Sequence, residues 1–562
     1  MLMEKPFNSG TWLNWQQPAS PFLLGPTVDA CGAPFRDTFG FPFFTSVVFY
    51  RTVDAERGYH ASWLLRVDEG KACGRLLHDL LAVPSFRPWF DDLLQAAFDG
   101  IADAAATVAG TPVEALSQPQ LTELFDTYYA AFVDFYKLAA ITEPVQWWAE
   151  ESFQQYVAAA EGAGRSVAPE GWSKERIERA AFSMGEEPYT HAIERDLVAV
   201  AEAVDAVLAS DADLPDPGSD EALERALASA PVCAAAAAHA SRFGWKASNY
   251  REVSVLDAES VVAEVLSLGS GARSLAEGLS EHVTQAEARR RAACADRAQL
   301  LLRAPEPVRA ALQIGDQYGA SLADRRKATM LRALGGLDVL GRELARRASV
   351  SYADFLLLTP TEVHTFVRRP SLYAPRWELR RDALVLIGAA FPLDDAEMVA
   401  HIELANGSAP RVPRKRDVSL AEGPEGRRLL DRVDLRMGLF DHDGAPRVAR
   451  GDVVTPPRGQ AVFEGVCRVV TDPRRDRLVP GEILIATSTT PDFMTAIRQA
   501  SAIIVDQGGV LSHAALTSRE LDKPCIVGTS VATALFRTGD RIRIDFADGS
   551  AVRVEAPKDG AS

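Results

Sequence analysis

Between residues 84 and 358 apolar side chains return every three or four positions, the spacing of helices that turn one face inward. Leu121, Leu124, Phe125, Tyr128, Phe132 and Phe135 make one such stripe, and residues 283–302 and 325–346 make two longer amphipathic stretches. The run 210–220, acidic and broken by Pro215, Pro217 and Gly218, predicts a surface loop. The alanines at 234–238 predict a helix in tight contact. No internal repeat is found. After Asp452 the period changes. Apolar runs at Val453-Val454, 461–470, Ile483-Leu484-Ile485, Ile503-Ile504-Val505 and Ile526-Val527 predict short strands. Ile542, Ile544 and Phe546, then Val552 and Val554, alternate on either side of Asp548-Gly549, a hairpin signal. Thr490-Pro491-Asp492 predicts one helix start, with an N-cap, a first-position proline and an acid in the first turn; a second starts at Ser512.

The first eighty residues follow neither period. Phe35, Phe39, Phe41, Phe43, Phe44 and Tyr50 crowd together there, and either line an apolar pocket or fill the core beneath long loops. Around 404–426 the pattern breaks at Asn406-Gly407-Ser408-Ala409-Pro410, Pro413-Arg414-Lys415-Arg416 and Gly423-Pro424, with a second break at 441–451. The expected fold is multidomain: a large, mostly α-helical domain over 1–402, an irregular linker over 403–451, a small α/β domain over 452–556 and a tail over 557–562.

Composition narrows the classes. The 562 residues exceed the roughly 250–300 that one core sustains, and 47% hydrophobic with 24% charged residues is globular composition. A net charge of −17 argues against non-specific binding to nucleic acid or to an anionic membrane. Six scattered cysteines form no CxxC pair, no apolar run reaches about 18 residues, and no leader is recognisable, so a cytoplasmic protein is expected.

The most informative stretch is Asp506-Gln507-Gly508-Gly509-Val510-Leu511-Ser512-His513-Ala514-Ala515-Leu516-Thr517-Ser518-Arg519-Glu520-Leu521. A strand should end at Val505, a Gly-Gly turn follow, and Ser512 cap a helix whose first residue is His513. A helix start carries partial positive charge and N–H groups with no intrahelical partner, which suit a phosphoryl group. The same field disfavours imidazolium and leaves a neutral ring nitrogen able to attack. Small Ala514 and Ala515 would keep that ring within reach of a large partner.

Together with Pro524-Cys525-Ile526-Val527-Gly528-Thr529, Ala532-Thr533, Gly539-Asp540 and, upstream, Pro480-Gly481-Glu482-Ile483-Leu484-Ile485-Ala486 and Thr490-Pro491, this stretch closely resembles the swivelling phosphohistidine domain of the phosphoenolpyruvate-utilising enzymes. The resemblance covers residues 451–555. It implies that His513 takes a phosphoryl group, cradled by Gly508, Gly509, Ser512, Ala514 and Arg519. Leu511 stands where pyruvate-handling members usually have threonine, and there the chain looks more like the rifampicin phosphotransferase and phenylphosphate synthase branch.

In that family a separate ATP-grasp domain binds ATP and a terminal barrel binds phosphoenolpyruvate. No Walker A or glycine-rich nucleotide fingerprint occurs in this sequence, and the chain is expected to lack the barrel. Asn14-Trp15-Gln16-Gln17-Pro18-Ala19-Ser20-Pro21 is similar to the opening of the acceptor-binding domain of rifampicin phosphotransferases, and 325–362 more faintly to its later helices. The resemblance implies a dikinase-type phosphotransferase component. A partner ATP-grasp subunit with Mg²⁺ would load His513 from ATP, releasing AMP and phosphate, and the small domain would carry the group to a small hydroxyl-bearing acceptor, with an aromatic or phenolic one favoured over a sugar. No metal or tightly bound cofactor is expected in this chain, and no nucleic-acid or membrane partner. Arg325, Arg326, Lys327 and His239 are the acceptor-site candidates, each also readable as a solvated or structural residue; so are His191, His364 and Trp147-Trp148. Two other readings stay open: a non-catalytic paralogue that binds and regulates an ATP-grasp partner, and a phosphoenolpyruvate synthase-like enzyme.

Overall fold

The computed structural model describes residues 12–40, 43, 46–52, 59–209, 219–268, 274–382, 384–388, 418–424, 427–428, 448–457, 461–471, 473, 476–489, 493–506, 513–529 and 532–554. The chain divides into two units: Met1–Tyr189 with Ser248–Val253 and Arg290–Met437, and Thr190–Ala247 with Ser254–Arg289 and Gly438–Ser562.

The first unit is mainly helical. The stripe at Leu121, Phe125, Tyr128, Phe132 and Phe135 is the buried face of the helix Gln118–Ala139, with Leu124 half-buried at its margin. Phe86–Ala109 and Leu322–Arg347 pack against it and Thr142–Gly162 follows it in the chain, so the helical reading of 84–358 holds. Some helices meet with no side chain between them. A Cβ on Gly74, in the helix Val67–Leu81, would overlap the Pro144 carbonyl. One on Gly336 would overlap the Tyr128 ring.

This unit also holds a five-stranded antiparallel sheet. Its strands are β1 (Trp12–Pro18), β2 (Ser46–Thr52), β3 (Tyr59–Arg66), β4 (Leu384–Gly388) and β5 (Val418–Glu422), in the order β1-β3-β2-β4-β5. Strand β5 lies inside the segment expected to be an irregular linker. Five residues flanked by Gly and Pro are too short for a period to be read, and what holds the strand is non-local. Glu422 accepts from Arg376 Nε at 2.7 Å and Arg380 Nε at 2.8 Å, and the fully buried Arg380 also donates to Leu357 O and Glu362. Residues 406–416 lie outside the described residues. The aromatic cluster is core: Phe35, Phe39, Phe43 and Tyr50 are buried, with the Phe35 ring 4.5 Å from Phe39 and 4.9 Å from Phe43. Phe41 and Phe44 lie outside the described residues.

The second unit joins helices, among them Tyr189–Leu208, Ala230–Phe243, Ala258–Ser267 and part of Leu275–Arg303, with an eight-stranded sheet. The alanines at 234–238 are in the second of these, which buries only one face, through Val232, Ala236 and His239. The strands are β6 (Val448–Arg450), β7 (Asp452–Thr455), β8 (Val462–Val469), β9 (Ile483–Ala486), β10 (Ala502–Val505), β11 (Cys525–Val527), β12 (Arg541–Asp545) and β13 (Ser550–Arg553). Their order is β6-β13-β12-β8-β9-β10-β11-β7, parallel from β8 to β11 and antiparallel elsewhere. Every strand predicted after Asp452 is present, and β6 is added from the expected linker. The hairpin turn is longer than its signal suggested: Asp545 pairs with Ser550, so Phe546 falls in the turn, and Gly549 supplies a φ of 66°.

Helix contact without side chains gives a paired test. Gly74→Ala should destabilise the first unit by about 2–3 kcal/mol, because the methyl meets backbone that cannot yield. Gly100→Ala, on an exposed face of Phe86–Ala109 with nothing near its Cβ, should stabilise it by about 0.5–1 kcal/mol. Denaturant unfolding of the two variants measures both.

Candidate functional site

The centre of the small sheet is apolar on both faces. Ile503 and Val505 of β10 enter one cluster with Leu484, Ala486, Cys525 and Val527, while Ala502 and Ile504 enter the other with Ile483, Ile485 and Ile526. Alternate side chains of a strand point to opposite faces, so a strand covered on both sides carries no polar group until it ends. Here β10 ends at Val505, and the next residue is Asp506.

Asp506 is buried, and it ties the carboxyl end of β10 to the neighbouring segment. Thr529 Oγ1 donates to it at 2.7 Å and Thr533 N at 3.0 Å, with further donation from Ala532 N and the Thr533 hydroxyl. It therefore caps the short helix Ala532–Leu535. Burial pushes its carboxyl above the ordinary range, while these donors pull it back.

Residues 513–521 form the helix His513–Leu521. His513 is its first residue, so its backbone lies among the first-turn N–H groups that have no intrahelical acceptor. The helix is seated by its other face. Ala514 and Ala515 are buried in the same cluster as Val505, Ser518 Oγ donates to Ala515 O at 3.0 Å, and the hydroxyls of Ser518 and Thr455 on β7 lie 2.9 Å apart. Ala514 and Ala515 face the core, and their small side chains let the helix approach the sheet.

Of the other cradle candidates, Gly508, Gly509 and Ser512 lie outside the described residues, and for His513 only the backbone is described. Arg519 is in the last turn of the same helix. Six residues place it about 9 Å along and about 120° around from His513, so it does not stand at the helix start with it.

The acceptor-site candidates do not come together. Arg325 lies 3.8 Å over the Phe98 ring and donates to Gln95 Oε1 at 2.6 Å. Arg326 is buried and pairs with Glu143, donating to Oε2 at 2.8 Å. Burial raises the Glu143 carboxyl, but the Arg326 charge and hydrogen bonds outweigh it and hold the group below the usual carboxylate range. Lys327 Nζ lies 4.9 Å from the Tyr250 ring. Successive helix positions turn by about 100°, which sends three neighbours in sequence to three different surroundings.

His239 belongs to the second unit. It is fully buried, its Nδ1 lies 2.8 Å from Asp196 Oδ2, and burial lowers its pKa, so it joins two helices as a neutral ring. His191 is buried in the same unit, and His364 Nε2 lies 2.7 Å from Asp126 in the first. Trp147 packs where a Gly70 side chain would stand, and Arg75 lies 5.9 Å over the Trp148 ring. Asp506 stood at the head of the motif but drew no role from sequence; an acid directly after a wholly apolar run was the signal for it. Among the described residues no group of three His, Cys, Asp or Glu side chains forms a metal site, and no helix is long and apolar enough to cross a membrane.

The buried carboxyl gives a test with a definite sign. A folded-state pKa above the unfolded one means that the native state keeps a proton the unfolded chain has lost. Stability from this group therefore falls as pH rises from the ordinary carboxylate value, about 3.9, through the raised one. Asp506→Asn should flatten that slope. Asp506→Ala, which strands four donors, should cost roughly 2–4 kcal/mol near the ordinary carboxylate value and less as pH rises. Unfolding measured across pH for wild type and both variants decides.

Residues 478–549 match the family model described as PEP-utilising enzyme, mobile domain. The phosphoenolpyruvate synthase of Pyrococcus furiosus is 39% identical over 108 residues, 19% of this chain and 13% of that protein. A probable phosphoenolpyruvate synthase of Pyrococcus horikoshii is 47% identical over 74 residues, 13% of this chain and 9% of its own. That of Deinococcus radiodurans is 39% identical over 103 residues, 18% and 13% respectively. The matched segment thus spans no more than 13% of the length of these relatives. It includes Asp506 and the helix that His513 opens. Residues 478–549 are thus a segment similar to the mobile domain of the phosphoenolpyruvate-utilising enzymes.

Proposed function

We propose that this protein is a phosphotransferase component in which His513 carries a phosphoryl group between two active sites. The observation that carries the reading is the backbone position of His513, first residue of a helix seated on a dry parallel sheet, inside the segment that matches the mobile-domain model. A neutral imidazole nitrogen is a competent nucleophile toward phosphorus, and the free N–H groups of a helix start stabilise the incoming anion.

In this reading ATP and Mg²⁺ are held by a separate ATP-grasp subunit, as the resemblance to phenylphosphate synthase implies. The His513 nitrogen attacks the β-phosphorus, AMP leaves, water removes the terminal phosphate, and a phosphohistidine remains. The small domain then presents it to an acceptor hydroxyl, whose oxygen takes the phosphoryl group as its proton passes to a base. Gly508, Gly509, Ser512 and the Ala514 N–H are the proposed cradle. Two half-reactions joined by a covalent intermediate suit a transfer whose donor and acceptor sites cannot coincide. The acceptor is proposed to be a small hydroxyl compound. A second reading, transfer to or from pyruvate, is favoured by the names of the matched relatives.

Incubation of the full chain with ATP, Mg²⁺ and a candidate ATP-grasp protein, or with phosphoenolpyruvate alone, tests both. Mass spectrometry should find an acid-labile, base-stable phosphate on the peptide containing His513. His513→Ala should lower turnover by on the order of 10⁴-fold or more, as loss of a covalent nucleophile does. Labelling by phosphoenolpyruvate alone selects the second reading, and absence of label from either donor overturns both.

A further inference from the structure

The small domain closes its own cores. Both apolar clusters around its central strands draw on residues 449–551 alone, and among the described residues no side chain of the neighbouring helices joins them. Among the described residues, polar contacts join the domain to those helices within the second unit. Arg498, in the helix Met494–Gln499, pairs with Glu194 of Tyr189–Leu208, whose side chain is only 4% exposed. Gln499 Nε2 donates to the Ser267 carbonyl, at the end of Ala258–Ser267, at 2.8 Å. His282 Nε2 lies 3.8 Å from the same Glu194 carboxylate.

The place of this contact on the sheet gives it meaning. Between parallel strands a helix starts over their carboxyl ends and finishes over their amino ends. Arg498 and Gln499 finish the helix between β9 and β10, and Gly481 N–H, just before β9, donates to the Gln499 carbonyl at 2.9 Å. His513 opens the helix after β10, at the opposite edge, about 13 Å away along a four-residue strand. The contact therefore lies at the edge of the sheet away from His513.

A buried carboxylate–guanidinium pair contributes little as permanent glue, because desolvation offsets most of the attraction. Arg498 Nε makes no hydrogen bond. Such a pair is nonetheless selective, since docking out of register would bury an unpaired charge. It suits an interface that opens and closes. We propose that Arg498–Glu194 and Gln499–Ser267 form a latch that parks the phosphohistidine domain against the helices of its own unit by the edge remote from His513. The domain must break this latch to travel. The inference rests on reading His513 as a carrier on a moving domain.

Spin labels at Glu259→Cys, on Ala258–Ser267, and Arg543→Cys, on β12, report the separation of the two parts in the full chain, with the half-buried Cys233→Ser and Cys294→Ser replaced. Pulsed electron resonance should show one narrow distance in this background. Arg498→Glu should shift the population to a longer, broader distribution, and Gln499→Ala should shift it the same way by less. Exchanging the charges, Glu194→Arg with Arg498→Glu, should restore the narrow distance. Unchanged distances in both single variants overturn the latch, and so does a shift that charge exchange leaves uncorrected. Phosphate labelling of His513 is a separate readout: a chain that responds to charge exchange but never takes phosphate retains the docking contact and loses the carrier role.

Discussion

A strand covered on both faces admits no polar side chain along its length, and the small domain is organised by that constraint. Strands β9, β10 and β11 meet it with aliphatic residues, alanine and one cysteine at every position. Reactive groups can then appear only where a strand ends. At the carboxyl end of β10 the first polar residue, Asp506, is fixed by four donors from Thr529, Ala532 and Thr533. The helix His513–Leu521 is fixed as well, by Ala514 and Ala515 in the core and by the Ser518–Thr455 contact on β7. The backbone of His513 therefore begins a helix whose other face is anchored in the core.

The helical unit solves a different problem with charge. Its long helices approach through glycines, and several charged groups are sealed among them. Arg326 faces Glu143, Arg380 is shared between Glu362 and Glu422, and Arg297 donates to the carbonyls of Ala181, Ser183 and Leu312. Each guanidinium is matched by acceptors from segments distant in sequence, so these groups set which segments meet more than how firmly they hold. The cation that sequence offered as phosphate ligand, Arg326, is spent on that work.

The contrast between apolar and polar contact runs through the second unit too. Inside the small domain contact is aliphatic and continuous. Toward the neighbouring helices the described contacts include an ion pair and a glutamine–carbonyl bond, with a histidine beside the ion pair. Apolar area buried against water holds without direction, whereas a few polar contacts hold in one register and exchange readily for water.

Sequence by itself determined the local elements and the chemistry of the motif. Periods of two and 3.6, turn residues and helix starts located the strands after Asp452, the long helices of 84–358 and His513 at a helix start, because each of these signals is written within about ten residues. Strand β5 escaped it, since a five-residue strand is held by Arg376 and Arg380 from elsewhere in the chain. The role of Asp506 escaped it because its donors lie more than twenty residues away. The triplet Arg325, Arg326 and Lys327 looked like one site in sequence and became three separate environments, because a helix turns consecutive side chains apart. Tertiary structure alone decided that the alanines beside His513 face the core, that the N-terminal phenylalanines are packing rather than pocket, and that Arg498 meets Glu194. Each of these depends on which surfaces the fold brings together, and burial and charge pairing over such separations leave no periodic trace along the chain.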